Sequence, residues 1–222
     1  MSPLFLAYED LKYLLNRGYK KKSALDFVAN HYTLALKERH FLARCVFSDS
    51  EIEERKKKLL KKEEIEGSVL GIDGFNVLIT LESLLEGRAI LCEDGLLRDL
   101  ERRGGYTLNV QTPKNLELLL GFLKLLRPSG VWFLYDAPVS KSGQVVRITW
   151  ELMEKFGLSG GARLSKAPDH DLKDFEVVAS SDIGIIKKVP FIVDLPCMIG
   201  EEKGIKYPSF LDVLKKPQLL GF

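Results

Sequence analysis

The sequence is 222 residues long, 45% hydrophobic and 29% charged, enough for one large domain or a domain with a helical attachment. Its 33 Lys and Arg nearly cancel its 31 Asp and Glu, which excludes a histone-like polycation and an acidic tail. The apolar fraction excludes a disordered chain, and no stretch approaches the roughly 18 uncharged apolar residues of a membrane helix.

The N-terminal residues lack a basic stretch before their apolar run and carry Glu9 and Asp10 early, unlike a signal peptide. Cys45, Cys92 and Cys197 are odd in number and widely spaced, with no C-x-x-C, so a disulfide framework or a zinc knuckle is not expected. A reducing, cytoplasmic setting is the default. Leu11, Leu14 and Leu15 have helical spacing that stops near Gly18. Ser23 then reads as the cap of a second helix, and residues 33–47 as a third. Residues 51–66 are almost all charged, as in a solvated helix or linker. This helical segment, residues 1–66, carries 14 basic and 11 acidic side chains, whereas residues 67–222 carry 19 and 20.

From residue 67 the pattern changes. Runs at 69–72, 89–91, 131–135, 177–179 and 191–193 read as strands, and 77–85, 113–126 and 145–156 as helices. Alternation of this kind predicts an α/β domain: a mostly parallel, Rossmann-like sheet flanked by helices, behind a small all-α N-terminal domain. Gly104-Gly105 and Gly160-Gly161 read as turns, since neither continues as G-x-G-x-x-G.

Four of these strands are followed at once, or within three residues, by an aspartate: Asp73, Asp136, Asp182 and Asp194. In an open parallel sheet the carboxyl ends of the strands share one edge, where ligands bind. Like charges gathered there repel unless a cation neutralises them, and hard carboxylate oxygens suit Mg²⁺ or Mn²⁺. Such an ion stabilises charge on a phosphodiester during hydrolysis. Asp also starts turns and caps helices, and Asp194, followed by Pro196, is the weakest member.

The ordered segments Asp73-Gly74-Phe75-Asn76, Tyr135-Asp136-Ala137, Pro168-Asp169-His170-Asp171-Leu172 and Ser180-Ser181-Asp182 resemble motifs of the PIN-like ribonucleases, especially their NYN branch. The resemblance covers about residues 68–195, and the whole chain looks like an archaeal family that joins a helical domain to such a module. It implies a metal-dependent endoribonuclease in which Asp73, Asp136, Asp169 and Asp182 hold the metal. Asn76 would orient a ligand or touch substrate, and Ser181 would support the strand end. Phe75 in place of the usual Tyr, Pro168, and the apolar run after Asp182 depart from the pattern and leave room for an inactive domain that has kept its binding groove.

Around this core, Ser140, Lys141, Ser142 and Arg147 could contact a phosphate at a helix start, with Ser142 as a cap in the plainer reading. Lys166 could do the same. Glu82 reaches either the site or the surface, and His170 is an ordinary surface histidine unless it serves as a base. Lys20, Lys21, Lys22, Arg39 and Arg44, with nearby tyrosines, are candidate contacts for an RNA backbone, or simply a solvated face. RNA, with tRNA or rRNA as the guessed substrate, is the expected partner, with no membrane association and a homodimer left open. The rival readings are a non-catalytic RNA-binding or ribosome-associated module, a small-molecule phosphatase or phosphotransferase, and an interaction scaffold.

Overall fold

A computed structural model describes residues 2–100 and 106–220. The turn expected at Gly104-Gly105 lies outside the described residues. In chain order the helices α1 (Pro3–Asn16), α2 (Lys21–His31), α3 (Leu36–Cys45) and α4 (Asp49–Lys58) come first. They are followed by β1 (Val69–Asp73), α5 (Gly74–Leu85), β2 (Ala89–Leu91), β3 (Leu97–Asp99), α6 (Thr112–Leu126) and β4 (Gly130–Asp136). The chain continues with α7 (Ser142–Phe156), β5 (Gly160–Ser165), α8 (Pro168–Asp171), β6 (Val177–Ala179) and α9 (Ile183–Ile186). It closes with β7 (Phe191–Val193), α10 (Leu195–Glu202) and α11 (Phe210–Lys215). Among the described residues no helix is long and apolar enough to cross a membrane.

The chain folds into two compact units, and the division is interleaved rather than a single cut at residues 66 and 67. The first unit gathers Met1–Lys57, Ser83–Arg102 and Lys206–Phe222. The second contains Lys58–Glu82 and Arg103–Ile205.

The first unit is held by one apolar cluster drawn from all three of its segments. Leu4, Leu11, Val28, Phe41 and Leu42 of the N-terminal helices pack with Ile90, Leu100, Phe210 and Val213. Ser2 caps α1 by accepting the Phe5 N–H at 3.2 Å. α2 starts at Lys21, two residues before the expected cap Ser23, and Lys20 at its N-cap offers no side-chain bond. The 89–91 strand does not join the parallel sheet. β2 pairs antiparallel with β3, Ile90 opposite Arg98, through a turn in which the Gly95 N–H donates to the Cys92 carbonyl at 3.0 Å. α4 is charged yet not wholly solvated: Arg55 is buried and donates to Asp94 at 2.8 Å, while Arg98 grips the same carboxylate at 2.6 and 2.8 Å. The Phe47 ring lies under Lys21 at 3.8 Å and Arg55 at 3.9 Å.

The second unit is built on five parallel strands in the order β5-β4-β1-β6-β7. Their buried positions, including Leu70, Ile72, Val131, Phe133, Val178 and Ile192, form the near-continuous apolar runs that a sheet covered on both faces requires. α6 packs on α7 and α10, and α7 packs on β4 and β5. The residues after α4 extend the edge of this sheet, where the Leu60 N–H donates to the Ile192 carbonyl at 2.9 Å. Instead of a turn, Gly160-Gly161 opens β5. A Cβ at Gly160, whose φ is +117°, would lie 1.9 Å from the Val131 carbonyl oxygen. At Gly161 a Cβ would meet the Trp150 ring at 2.7 Å, so both positions admit only glycine.

Candidate active site

The strand order runs outward in both directions from β1, so the switch point lies between β1 and β6. Asp73 ends β1 there, in register with Leu134 of β4, and Ile72 faces Ala179 of β6. Ser180, the first residue beyond β6, donates its hydroxyl to Asp73 Oδ2 at 2.9 Å. The Asp182 N–H in turn donates to Ser180 Oγ at 3.1 Å. Asn76, in the first turn of α5, ties the same two segments together. Its Oδ1 accepts from the Ser181 N–H at 2.9 Å and from Ser181 Oγ at 3.1 Å.

Gly74 lets the helix start directly at the strand end, since a Cβ there would sit 2.3 Å from the Tyr135 ring. That ring is fully buried, shares a hydrogen bond with Thr149 at 2.8 Å, and packs against Phe75, which stacks on Tyr106. Phe75 therefore fills an apolar slot where a hydroxyl is not needed.

The electrostatics link the aspartates. Burial pushes the Asp73 carboxyl up to about 7, the Ser180 hydrogen bond opposes that shift, and the charges of Asp182 and Asp169 add to it. Asp136, exposed at the end of β4, is raised by partial burial and then by Asp169. Asp169 stands exposed in the first turn of α8 and acts on both. Asp182 is exposed too, but its Oδ1 caps α9, accepting from the N–H groups of Gly184 at 2.6 Å and Ile185 at 3.2 Å. Asp169 thus acts on both Asp73 and Asp136, and Asp182 on Asp73, although among the described residues no three His, Cys, Asp or Glu side chains form a group that could hold a metal ion.

Other candidates have different tasks. Asp194 is buried and caps α10 through the Cys197 N–H at 2.9 Å. Asp171 accepts from Ser165 Oγ at 2.8 Å and pairs with Arg163 at 3.2 Å, whereas Asp169 is the residue of this segment whose charge raises Asp73 and Asp136. Glu82 does not reach the surface: it is buried and accepts from the Tyr106 hydroxyl at 2.6 Å. His170 is exposed.

In the loop after β4, Lys141 takes a left-handed conformation and is the N-cap of α7, so Ser142 is the first helical residue and not the cap. Ser142 is buried and donates to the Ala137 carbonyl at 3.3 Å, and its N–H donates to the Val139 carbonyl. Exposed Ser140 and Lys141 remain at the carboxyl edge, with Lys166 beyond β5. Arg147 pairs with Glu151 at 3.6 Å on the solvent face of α7.

Of the basic residues in the first unit, Lys21 lies over Phe47, Arg39 donates to the carbonyls of Ala29 and Leu34, and Arg44 to that of Asp99. Lys20 and Lys22 are exposed.

A family model described as Domain of unknown function (DUF5616) matches residues 62–198. The chain belongs to this DUF5616 family. A second model, Protein of unknown function (DUF434), matches residues 3–58. An uncharacterised protein of Methanocaldococcus jannaschii is 46% identical over 193 residues, covering 85% of this chain and 92% of the relative. No solved structure matches significantly. The DUF5616 segment contains Asp73, Asp136, Asp169 and Asp182, and the DUF434 segment ends at the last residue of α4.

Proposed function

We propose that the DUF5616 segment is a PIN-like, NYN-type ribonuclease module that hydrolyses RNA phosphodiesters with Mg²⁺ or Mn²⁺. The observation that carries this reading is Asp73. Its carboxyl lies at the switch point of a parallel sheet, is pushed up to about 7, and feels Asp182 and Asp169. A carboxylate held under like-charge pressure in a fixed position is what a divalent cation relieves.

The donor set fits such an ion. It consists of carboxylate oxygens only, and Mg²⁺ is usually held by one or two carboxylates with waters completing its shell. Asp73 and Asp136 would hold it, with Asp169 and the remaining oxygen of Asp182 drawing it to the edge. When bound, the ion would polarise the phosphodiester and offset the charge that grows as it is cleaved. Ser180 fixes one oxygen of Asp73, and Asn76 fixes the loop that carries Ser180 and Ser181. Lys141 and Lys166 stand at the same edge to steer a phosphate backbone, with Ser140 as a hydroxyl donor beside them.

The test is cleavage of tRNA and rRNA with Mn²⁺ or Mg²⁺, comparing the native chain, a chelator control and Asp73→Asn. The expected result is metal-dependent cleavage that falls at least about 100-fold in Asp73→Asn. Asp182 favours a second reading, because its Oδ1 is already engaged by two backbone N–H groups. An RNA-binding module without catalysis would bind RNA equally with and without chelator and show no cleavage by the native chain.

A further inference from the structure

Cys45 and Cys92 are 47 residues apart in sequence, yet their sulfurs lie 2.8 Å from one another inside the first unit. A disulfide bond is about 2.05 Å long, so closing the gap asks for well under one ångström of movement. Cys45 is the last residue of α3, and Cys92 follows β2 directly. The backbones are already fastened side by side, since the Glu93 N–H donates to the Cys45 carbonyl at 3.2 Å. Both side chains are almost fully buried, at 0% and 4% exposure, which removes other cysteine partners. We propose that Cys45 and Cys92 form a dithiol that closes into a disulfide, locking the N-terminal helices to the β2–β3 hairpin.

The surroundings assign the two sulfurs different roles. Burial raises the Cys92 thiol, but the Cys45 hydrogen bond and the positive charge of Arg98 more than offset it, leaving Cys92 below the ordinary thiol range. Burial drives Cys45 well above that range. Arg98 is itself fixed by Asp94, at 2.6 and 2.8 Å, so its charge is held in place. Cys92 is therefore the nucleophile and Cys45 the resolving thiol.

The oxidant is a small hydroperoxide, which suits a buried pair. The Cys92 thiolate attacks the terminal peroxide oxygen and the O–O bond breaks. The released alkoxide takes up a proton to become an alcohol, and Cys92 is left as the sulfenic acid. The Cys45 sulfur then attacks Cys92 Sγ. The S–O bond breaks, the hydroxyl leaves with the Cys45 proton as water, and the S–S bond forms. Two thiols and one hydroperoxide give one disulfide, one alcohol and one water.

The experiment treats the full chain with hydrogen peroxide, unfolds it, alkylates the remaining thiols and maps the peptides. Alkylated cysteines should fall from three to one, with a peptide bearing Cys45 linked to one bearing Cys92. The oxidised chain should melt about 5–10 °C higher than the reduced chain. That difference should vanish in Cys92→Ser and persist in Cys197→Ser. Three alkylated thiols at every dose would overturn the proposal, as would a link to Cys197 or oxidation without a link. A linked chain with an unchanged melting temperature would overturn the locking role. Because the mapping uses the native sequence, the result stands even where Cys92→Ser fails to fold.

Discussion

Asp73 stands under opposing influences: burial and the charges of Asp182 and Asp169 raise its carboxyl to about 7, while the Ser180 hydroxyl favours the ionised form. A carboxyl raised above its unfolded value of about 3.9 contributes stability that is complete below that value and disappears as pH climbs through 7. Metal-free protein should therefore lose on the order of 3 kcal/mol from this group between pH 4 and 7. In urea unfolding, Asp73→Asn should match the native chain near pH 4 and exceed it near pH 8, the gap narrowing when Mg²⁺ or Mn²⁺ is added. Ser180→Ala removes the opposing hydrogen bond, so the Asp73 titration followed by NMR should move upward. The aspartates were legible in the sequence because strand-to-turn transitions show in local periodicity. Ser180 was not legible as their partner, since its bond to Asp73 spans 107 residues and depends on β1 lying beside β6. Asp194 shows the limit of the pattern: the same strand-end position caps α10.

At the scale of elements, the five expected strands match β1, β2, β4, β6 and β7 to within one residue, the longer helices were readable to within a few, and β3 and β5 were not read. α6 and α7 begin one and three residues before their expected starts, because their first turns carry polar residues that leave no apolar period. β5 was missed because its two glycines read as a turn, yet they are small to clear the Val131 carbonyl and the Trp150 ring. Gly160→Ala should accordingly destabilise the chain by about 2–4 kcal/mol, read as a lower urea midpoint at unchanged slope. The β2–β3 hairpin had a sequence signal in Asp94-Gly95, but Asp94 has a second task that no local pattern reveals. Two guanidiniums, those of Arg55 and Arg98, converge on it in the interior. Asp94→Ala leaves both without their shared carboxylate and should cost about 3–5 kcal/mol in unfolding experiments.

At the scale of the whole molecule, the sequence suggested one boundary near residue 66, whereas the family matches, at 3–58 and 62–198, part before it, between residues 58 and 62. The compact units follow another logic, because the first needs Ser83–Arg102 and Lys206–Phe222 to complete its core. Long-range packing of Leu11 or Phe41 with Phe210 leaves no trace in local composition. A chain beginning at residue 58 would strip Ile90, Leu100, Phe210 and Val213 of their helical partners. It should bind a hydrophobic dye and be cleaved by protease within residues 83–100 and 206–219, whereas the intact chain resists both. The interleaving also imposes an order during synthesis. A ribosome makes the N-terminal helices before the strands of the parallel sheet, but Phe210 and Val213 emerge only after all of those strands. The three helices α1, α2 and α3 must therefore wait, partly uncovered, while every strand of the parallel sheet is translated. A pause in translation between the last strand and Phe210 would prolong that wait, so that helices made before the sheet are protected after it.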